Sequence, residues 1–182
     1  MPSALDIENA VTALHAGAII AYPTEAVWGL GCDPFNEDSV QQLLALKQRD
    51  VAKGLILVAA NLAQLAPYIQ TLSLAQQQLI NSTDTPTTWL VPFIASKVPR
   101  WISGDHALLA VRVSQHPIVQ QLCLAADIPL ISTSANPAGL AAATSATQVQ
   151  AYFPQLPYCE GSLGAAKHAS TIKNLLTGAV IR

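Results

Sequence analysis

The stretch Gly54-Leu55-Ile56-Leu57-Val58-Ala59-Ala60 decides the fold. It is the longest clean apolar run in the chain, and no run reaches the roughly 18 residues a membrane helix needs. It reads as a buried strand over Gly54 to Ala59. Helical and strand patterns alternate on both sides of it. Upstream, Ile7, Val11 and Leu14 recur at helical spacing between Leu5 and Ala16, and Gly17 ends that helix. Ala18 to Tyr22 reads as a strand broken by Pro23. A second helix starts at Asn36 or Asp38, carries Val40, Leu43 and Leu44 on one face, and ends near Lys47-Gln48-Arg49.

Downstream, Asn61 and Ser73 are N-cap signals, and Ser73-x-x-Gln76 resembles a capping box. Thr87 to Val91 and Leu108 to Val113 read as strands. Pro117 opens a helix to about Ala126. Leu130 to Thr133 is a short strand before the Asn136-Pro137-Ala138-Gly139 loop. Ser145-x-x-Gln148 caps a helix to about Phe153, and Thr171 to Leu175 with Ala179 to Ile181 reads as a closing hairpin around Thr177-Gly178. The alternation predicts an α/β or α+β fold in one domain over 1–182, with turns rather than linkers at Pro34, Asp84 to Pro86 and Pro137 to Ala143.

Composition narrows the function. Of 182 residues, 51% are apolar and 11% charged, which argues for a packed globular chain. Nine Lys and Arg against eleven Asp and Glu give −2, a poor footprint for a dedicated nucleic-acid binder. Asp6 and Glu8 with no early Lys or Arg do not make a secretory signal. Cys32, Cys123 and Cys159 match no metal spacing and read as reduced, buried thiols of a cytoplasmic protein. His15, His106, His116 and His168 form no ligand-spaced set, so no metal site is expected.

Cations are scarce: residues 1 to 46 and 54 to 96 hold no Lys or Arg. Lys47 and Arg49, with Lys53 close behind, therefore stand out. They either complement the dipole at a helix C-terminus or clamp phosphate oxygens, with Asp50 partly neutralising the patch. Ser132-Thr133-Ser134-Ala135-Asn136 follows an apolar strand, at the edge where open α/β sheets bind ligands. Its hydroxyls and amide suit phosphate or carboxylate oxygens, or simply build a turn. Arg112 interrupts the apolar run Ala107 to Val113. Its guanidinium either lies in water on an edge strand or needs an anion, and nearby acids in the sequence are sparse. Gly29-Leu30-Gly31 lacks the third glycine of a dinucleotide fingerprint.

Several of these stretches resemble, in order and spacing, the YrdC/TsaC family. They are Tyr22-Pro23-Thr24-Glu25-Ala26-Val27-Trp28-Gly29-Leu30-Gly31-Cys32-Asp33, Leu46-Lys47-Gln48-Arg49, Lys53-Gly54-Leu55-Ile56-Leu57, Ala110-Val111-Arg112-Val113, Ser132 to Asn136, Ser170-Thr171-Ile172 and Ile181-Arg182. The resemblance covers essentially the whole chain and suits the short bacterial form. It implies a twisted, mixed parallel and antiparallel sheet with flanking helices around a concave, basic cavity. It also implies an enzyme that joins L-threonine, bicarbonate and ATP into threonylcarbamoyl-AMP and pyrophosphate. Mg2+ would travel with the nucleotide, and a separate transferase complex would move the group to A37 of tRNAs reading ANN codons.

By the same resemblance, Lys47 and Arg49 would hold the ATP phosphates and carry catalysis, with Ser134 and Asn136 also on the nucleotide. Thr24, Arg112, Ser132 and Ser170 would orient threonine, with Arg112 on its carboxylate. One stretch and two single residues depart from the family pattern. Thr83-Asp84-Thr85-Pro86 replaces a Trp-Pro-Gly turn, and Asp50 and Ala169 stand where prolines are common. The alternative reading is a non-catalytic tRNA or double-stranded RNA binder, against which stand the net charge and only 5% aromatics. A relative of hydrogenase-maturation proteins is disfavoured by the absence of any Cys-x-x-Cys pair.

Overall fold

A computed structural model describes residues 4–83 and 85–181. In chain order the elements are β1 (Ala4–Leu5), α1 (Ile7–His15), β2 (Ile20–Pro23), β3 (Trp28–Gly31), α2 (Glu37–Lys47), β4 (Ile56–Ala59), α3 (Leu62–Leu65), α4 (Leu74–Asn81), β5 (Thr87–Val91), α5 (Arg100–Ser103), β6 (Leu109–Val113), α6 (Pro117–Ala126), β7 (Leu130–Ser134), α7 (Ala146–Tyr152), β8 (Tyr158–Cys159) and β9 (Thr171–Asn174).

The described strands join in one nine-stranded sheet, ordered β1-β8-β2-β3-β7-β4-β6-β5-β9. The pairs β1–β8, β2–β8, β4–β6 and β5–β9 are parallel, and β2–β3, β3–β7, β4–β7 and β5–β6 antiparallel. This is the mixed parallel and antiparallel sheet that the family resemblance implies. Its central strands are buried on both faces, and period-2 alternation sorts their side chains into two apolar layers. Ala21, Leu57, Ala59 and Ile131 pack into one layer with α2. Ile20, Tyr22, Val58 and Leu130 pack into the other, with Ala10 and Leu14 of α1 and Val119 and Leu122 of α6.

Local signals act as read. Asn36, not Asp38, caps α2, its side chain accepting from Ser39 N at 3.1 Å. Ser73 and Gln76 form the full capping box of α4. The first helix begins later than periodicity suggests, because Asp6 caps it and Leu5 pairs in β1. The strand expected over Ala18 to Tyr22 begins at Ile20 and ends at Pro23 itself, which pairs with Trp28 as the last rung of the ladder. The closing hairpin is reduced to one bridge, Lys173 to Val180, and the main partner of β9 is β5. Strands β3 and β8 and the single turn α5 were not anticipated. The predicted Asp84 turn and the terminal Arg182 lie outside the described residues.

Glycine makes β3 possible. A Cβ on Gly31 would come within 2.4 Å of Ile131 O and 2.7 Å of the Tyr22 hydroxyl. The bare backbone lets the buried Tyr22 ring lie across β3 and donate to Ile131 O at 3.2 Å.

Candidate active site

The layer formed by α1 and α6 covers only part of its sheet face. Beyond it the same face is the floor of a cavity of about 570 Å³. Strand register shows the continuity. Val58 pairs with both Leu130 and Arg112, and two residues back Ile56 pairs with Ser132. Leu130 and Val58 are therefore core, while Ile56, Ser132 and Arg112 line the cavity. Thr24, Arg49, Ser134 and Ser170 also line it, together with Glu25, Lys53 and His106. Three cations against one carboxylate make the wall basic, as the fold class anticipates.

The basic dyad does two jobs. Gln48 ends α2 in the left-handed region, at φ 48 and ψ 44, with Arg49 N reaching back to Leu44 O at 2.9 Å. That reversal sends Lys47 and Arg49 different ways. Lys47 is buried, and its ammonium donates to Ser134 O at 2.7 Å, to Asn136 Oδ1 at 3.0 Å and to Asn136 O. Burial first, then the neighbouring Arg49 charge, lower its pKa to about 8. Arg49 lines the cavity, its Nε and Nη2 donating to Gly54 O at 3.1 and 2.8 Å.

The hydroxyl loop is organised around the Asn136 amide. Its oxygen also accepts from Ser134 Oγ at 2.6 Å, and its NH2 donates to Pro137 O and Leu140 O at 3.0 and 2.8 Å. The structure thus brings Lys47, Ser134 and Asn136 together, with Ser134 on the cavity wall and Lys47 and Asn136 behind it.

Arg112 has an internal anion that the sequence reading did not find. Its Nη2 lies 3.8 Å from Glu25 Oε2, both side chains being largely buried. Glu25 Oε1 accepts from Ser114 Oγ at 2.6 Å and Gln115 N at 3.2 Å. Burial drives the Glu25 pKa up, but the Arg112 charge and these hydrogen bonds outweigh it, and the net shift is downward. The scarcity of acids near Arg112 in the sequence was misleading, because the β2–β3 turn carries Glu25 to the end of β6. The available signal was that Glu25 is the lone acid between Glu8 and Asp33.

The remaining predicted residues are also at the cavity. Thr24 Oγ1 donates to Val27 O at 2.7 Å, Ser170 Oγ shares a 2.8 Å bond with Thr88 Oγ1, and Ser132 is buried. The three cysteines are free and buried, and burial pushes each thiol up to about 12. Among the described residues no three His, Cys, Asp or Glu side chains are grouped to hold a metal. No helix among them is long and apolar enough to cross a membrane.

Comparison with known proteins agrees with this fold. The Sua5/YciO/YrdC family model, described as "Telomere recombination", matches residues 12–182. The threonylcarbamoyl-AMP synthase of Pseudomonas putida is 48% identical over 185 residues, covering 100% of this chain and 99% of that protein. The Chromohalobacter salexigens protein of the same name is 49% identical over 178 residues, covering 97% and 96%. Among solved structures, P. abyssi Sua5 complexed with L-threonine superposes with a TM-score of 0.88 at 27% identity, over 97% of this chain and 53% of that one. E. coli YciO shares the fold, with a TM-score of 0.83 at 23% identity over 97% and 87%. The order of motifs, the mixed sheet and the match over residues 12–182 place the chain in the Sua5/YciO/YrdC family.

Proposed function

We propose that the protein is a threonylcarbamoyl-AMP synthase, which joins L-threonine, bicarbonate and ATP and releases pyrophosphate. The observation that carries this reading is one basic cavity holding both a buried arginine for a carboxylate and a basic, hydroxyl-rich rim for phosphates. Near-half identity to synthases along the whole chain supports it.

Arg112, with Thr24, Ser132 and Ser170, orients threonine. Arg49 faces the phosphates, and Lys47 sets the shape of the Ser134 to Asn136 rim against which the nucleotide lies. The threonine amine attacks inorganic carbon, forming an N–C bond to give a carbamate with loss of water. A carbamate oxygen then attacks the α-phosphorus, forming a P–O bond as the bond to the bridging oxygen breaks and pyrophosphate leaves. Chemistry of this kind needs positioning and charge neutralisation rather than a covalent nucleophile. Mg2+ enters on the ATP phosphates. The product passes to a transferase acting on tRNA, which sets the reaction in the cytoplasm.

The test is to incubate purified protein with ATP, Mg2+, bicarbonate and L-threonine and to follow pyrophosphate and the adenylate by mass spectrometry. Product that depends on both threonine and bicarbonate is expected. No product from folded protein that still shifts tRNA tightly would favour the RNA-binding reading instead.

A further inference from the structure

The roles above leave Glu25 unused, although it lines the cavity beside Arg112. Its carboxylate is satisfied on one side only. Oε1 has two donors, whereas Oε2 is buried with no hydrogen-bond partner. The 3.8 Å to Arg112 Nη2 exceeds hydrogen-bond length, and Arg112 Nε is itself buried without an acceptor. A buried polar atom without a partner is costly in a folded protein, and a site built for a ligand explains why both persist.

The backbone under Glu25 is fixed. Glu25 O accepts from Ala166 N, and Thr24 O from Gly164 N, both at 3.0 Å. The 164–166 segment lies so close that a Cβ on Gly164 would sit 2.9 Å from Glu25 Cα. With the backbone anchored here and Oε1 held by Ser114 Oγ and Gln115 N, the carboxylate is preset rather than free to swing onto Arg112.

An α-amino acid carries an ammonium and a carboxylate on one carbon. It is matched by an anion and a cation side by side, each with hydrogen-bonding capacity to spare. Resting on the synthase reading above, we infer that Glu25 Oε2 receives the α-ammonium of the amino-acid substrate while the Arg112 guanidinium receives its carboxylate. Glu25 thereby selects amino acids over hydroxy acids and fixes the nitrogen where the carbon is added.

The test is calorimetric titration of L-threonine, and of 3-hydroxybutanoate, its counterpart without the amino group, into wild-type protein and Glu25→Gln. The wild type should prefer threonine by about tenfold or more, the worth of one charge-assisted hydrogen bond. Glu25→Gln should bring that ratio close to one with ATP binding retained. If Glu25 merely holds Arg112 in place, the two acids weaken together and the ratio survives, which overturns the inference alone. A wild type that binds both acids equally also overturns it, and this comparison needs no variant to fold. A wild type that binds neither acid overturns the synthase reading and the inference with it.

Discussion

Two stretches of one sheet face, two residues apart on the same strands, behave as opposites. On β7, Leu130 is sealed under α1 and α6, and Ser132 opens onto the cavity. On β4, Val58 is core and Ile56 is cavity floor. Strand parity and pairing do not change between them; only the helical cover does. The site is thus the continuation of the core past the helices, built on central strands of the sheet, as precise positioning of bound groups requires.

Matched truncations on β7 test that contrast. Leu130→Ala should lose about 2–5 kcal/mol of stability by denaturant unfolding, through lost burial and the cavity left behind. While folded, it should keep the wild-type KM values for threonine and ATP. Activity lost ahead of stability would mean that the two stretches are mechanically one. Ser132→Ala should do the reverse. Its unfolding midpoint should stay close to wild type, with kcat/KM for threonine down about tenfold, equivalent to about 1.4 kcal/mol. An unchanged kcat/KM would remove Ser132 from the site.

The smallest effect concerns Lys47, which reaches the rim from the helix on the opposite face. With its pKa near 8, rising pH strips a proton and one donor from the Ser134–Asn136 clamp. Activity should fall on a basic limb near pH 8, by less than about tenfold, and Lys47→Arg should move that limb upward. Stability carries the opposite sign. The folded pKa lies below the ordinary 10.5, so over that interval the unfolded chain holds the proton and folding releases it. The penalty from this group is full below about pH 8 and relieved toward 10.5. Denaturation of wild type and Lys47→Arg on either side of that interval checks the slope.

Features that depend on near neighbours were readable in the sequence. The Ser73 box, the Asn36 cap and the strand within the Gly54 to Ala59 run, which begins only at Ile56, follow from spacing and cap chemistry. Strand β3 was not, because two glycines in four residues look like a loop until the Tyr22 ring that needs them is in place. The two-residue strand β8 and the one-turn α5 are too short for any period to show. The predicted contact residues are all at the cavity or directly behind its wall, yet the division of labour within the dyad turns on the left-handed Gln48, which composition does not reveal. Glu25 was missed because its partners are contributed by chain 89 residues away.

Strand order has a further consequence, for how the molecule is made. β8 and β9 are separated by a single loop, yet one pairs beside β2 and the other beside β5, on opposite sides of the sheet. The loop between them supplies Gly164 and Ala166 to the backbone of Thr24 and Glu25, and Ser170 to the cavity. On a ribosome, every strand from β1 to β7 can emerge before any of this exists. The cavity wall would then be exposed and β1 unpaired, since its partner is β8. Such long-range pairing is slow and leaves strand edges open to aggregation. A nascent chain should therefore complete this cavity in one late step, after β9 and Ile181, which also lines it, have emerged.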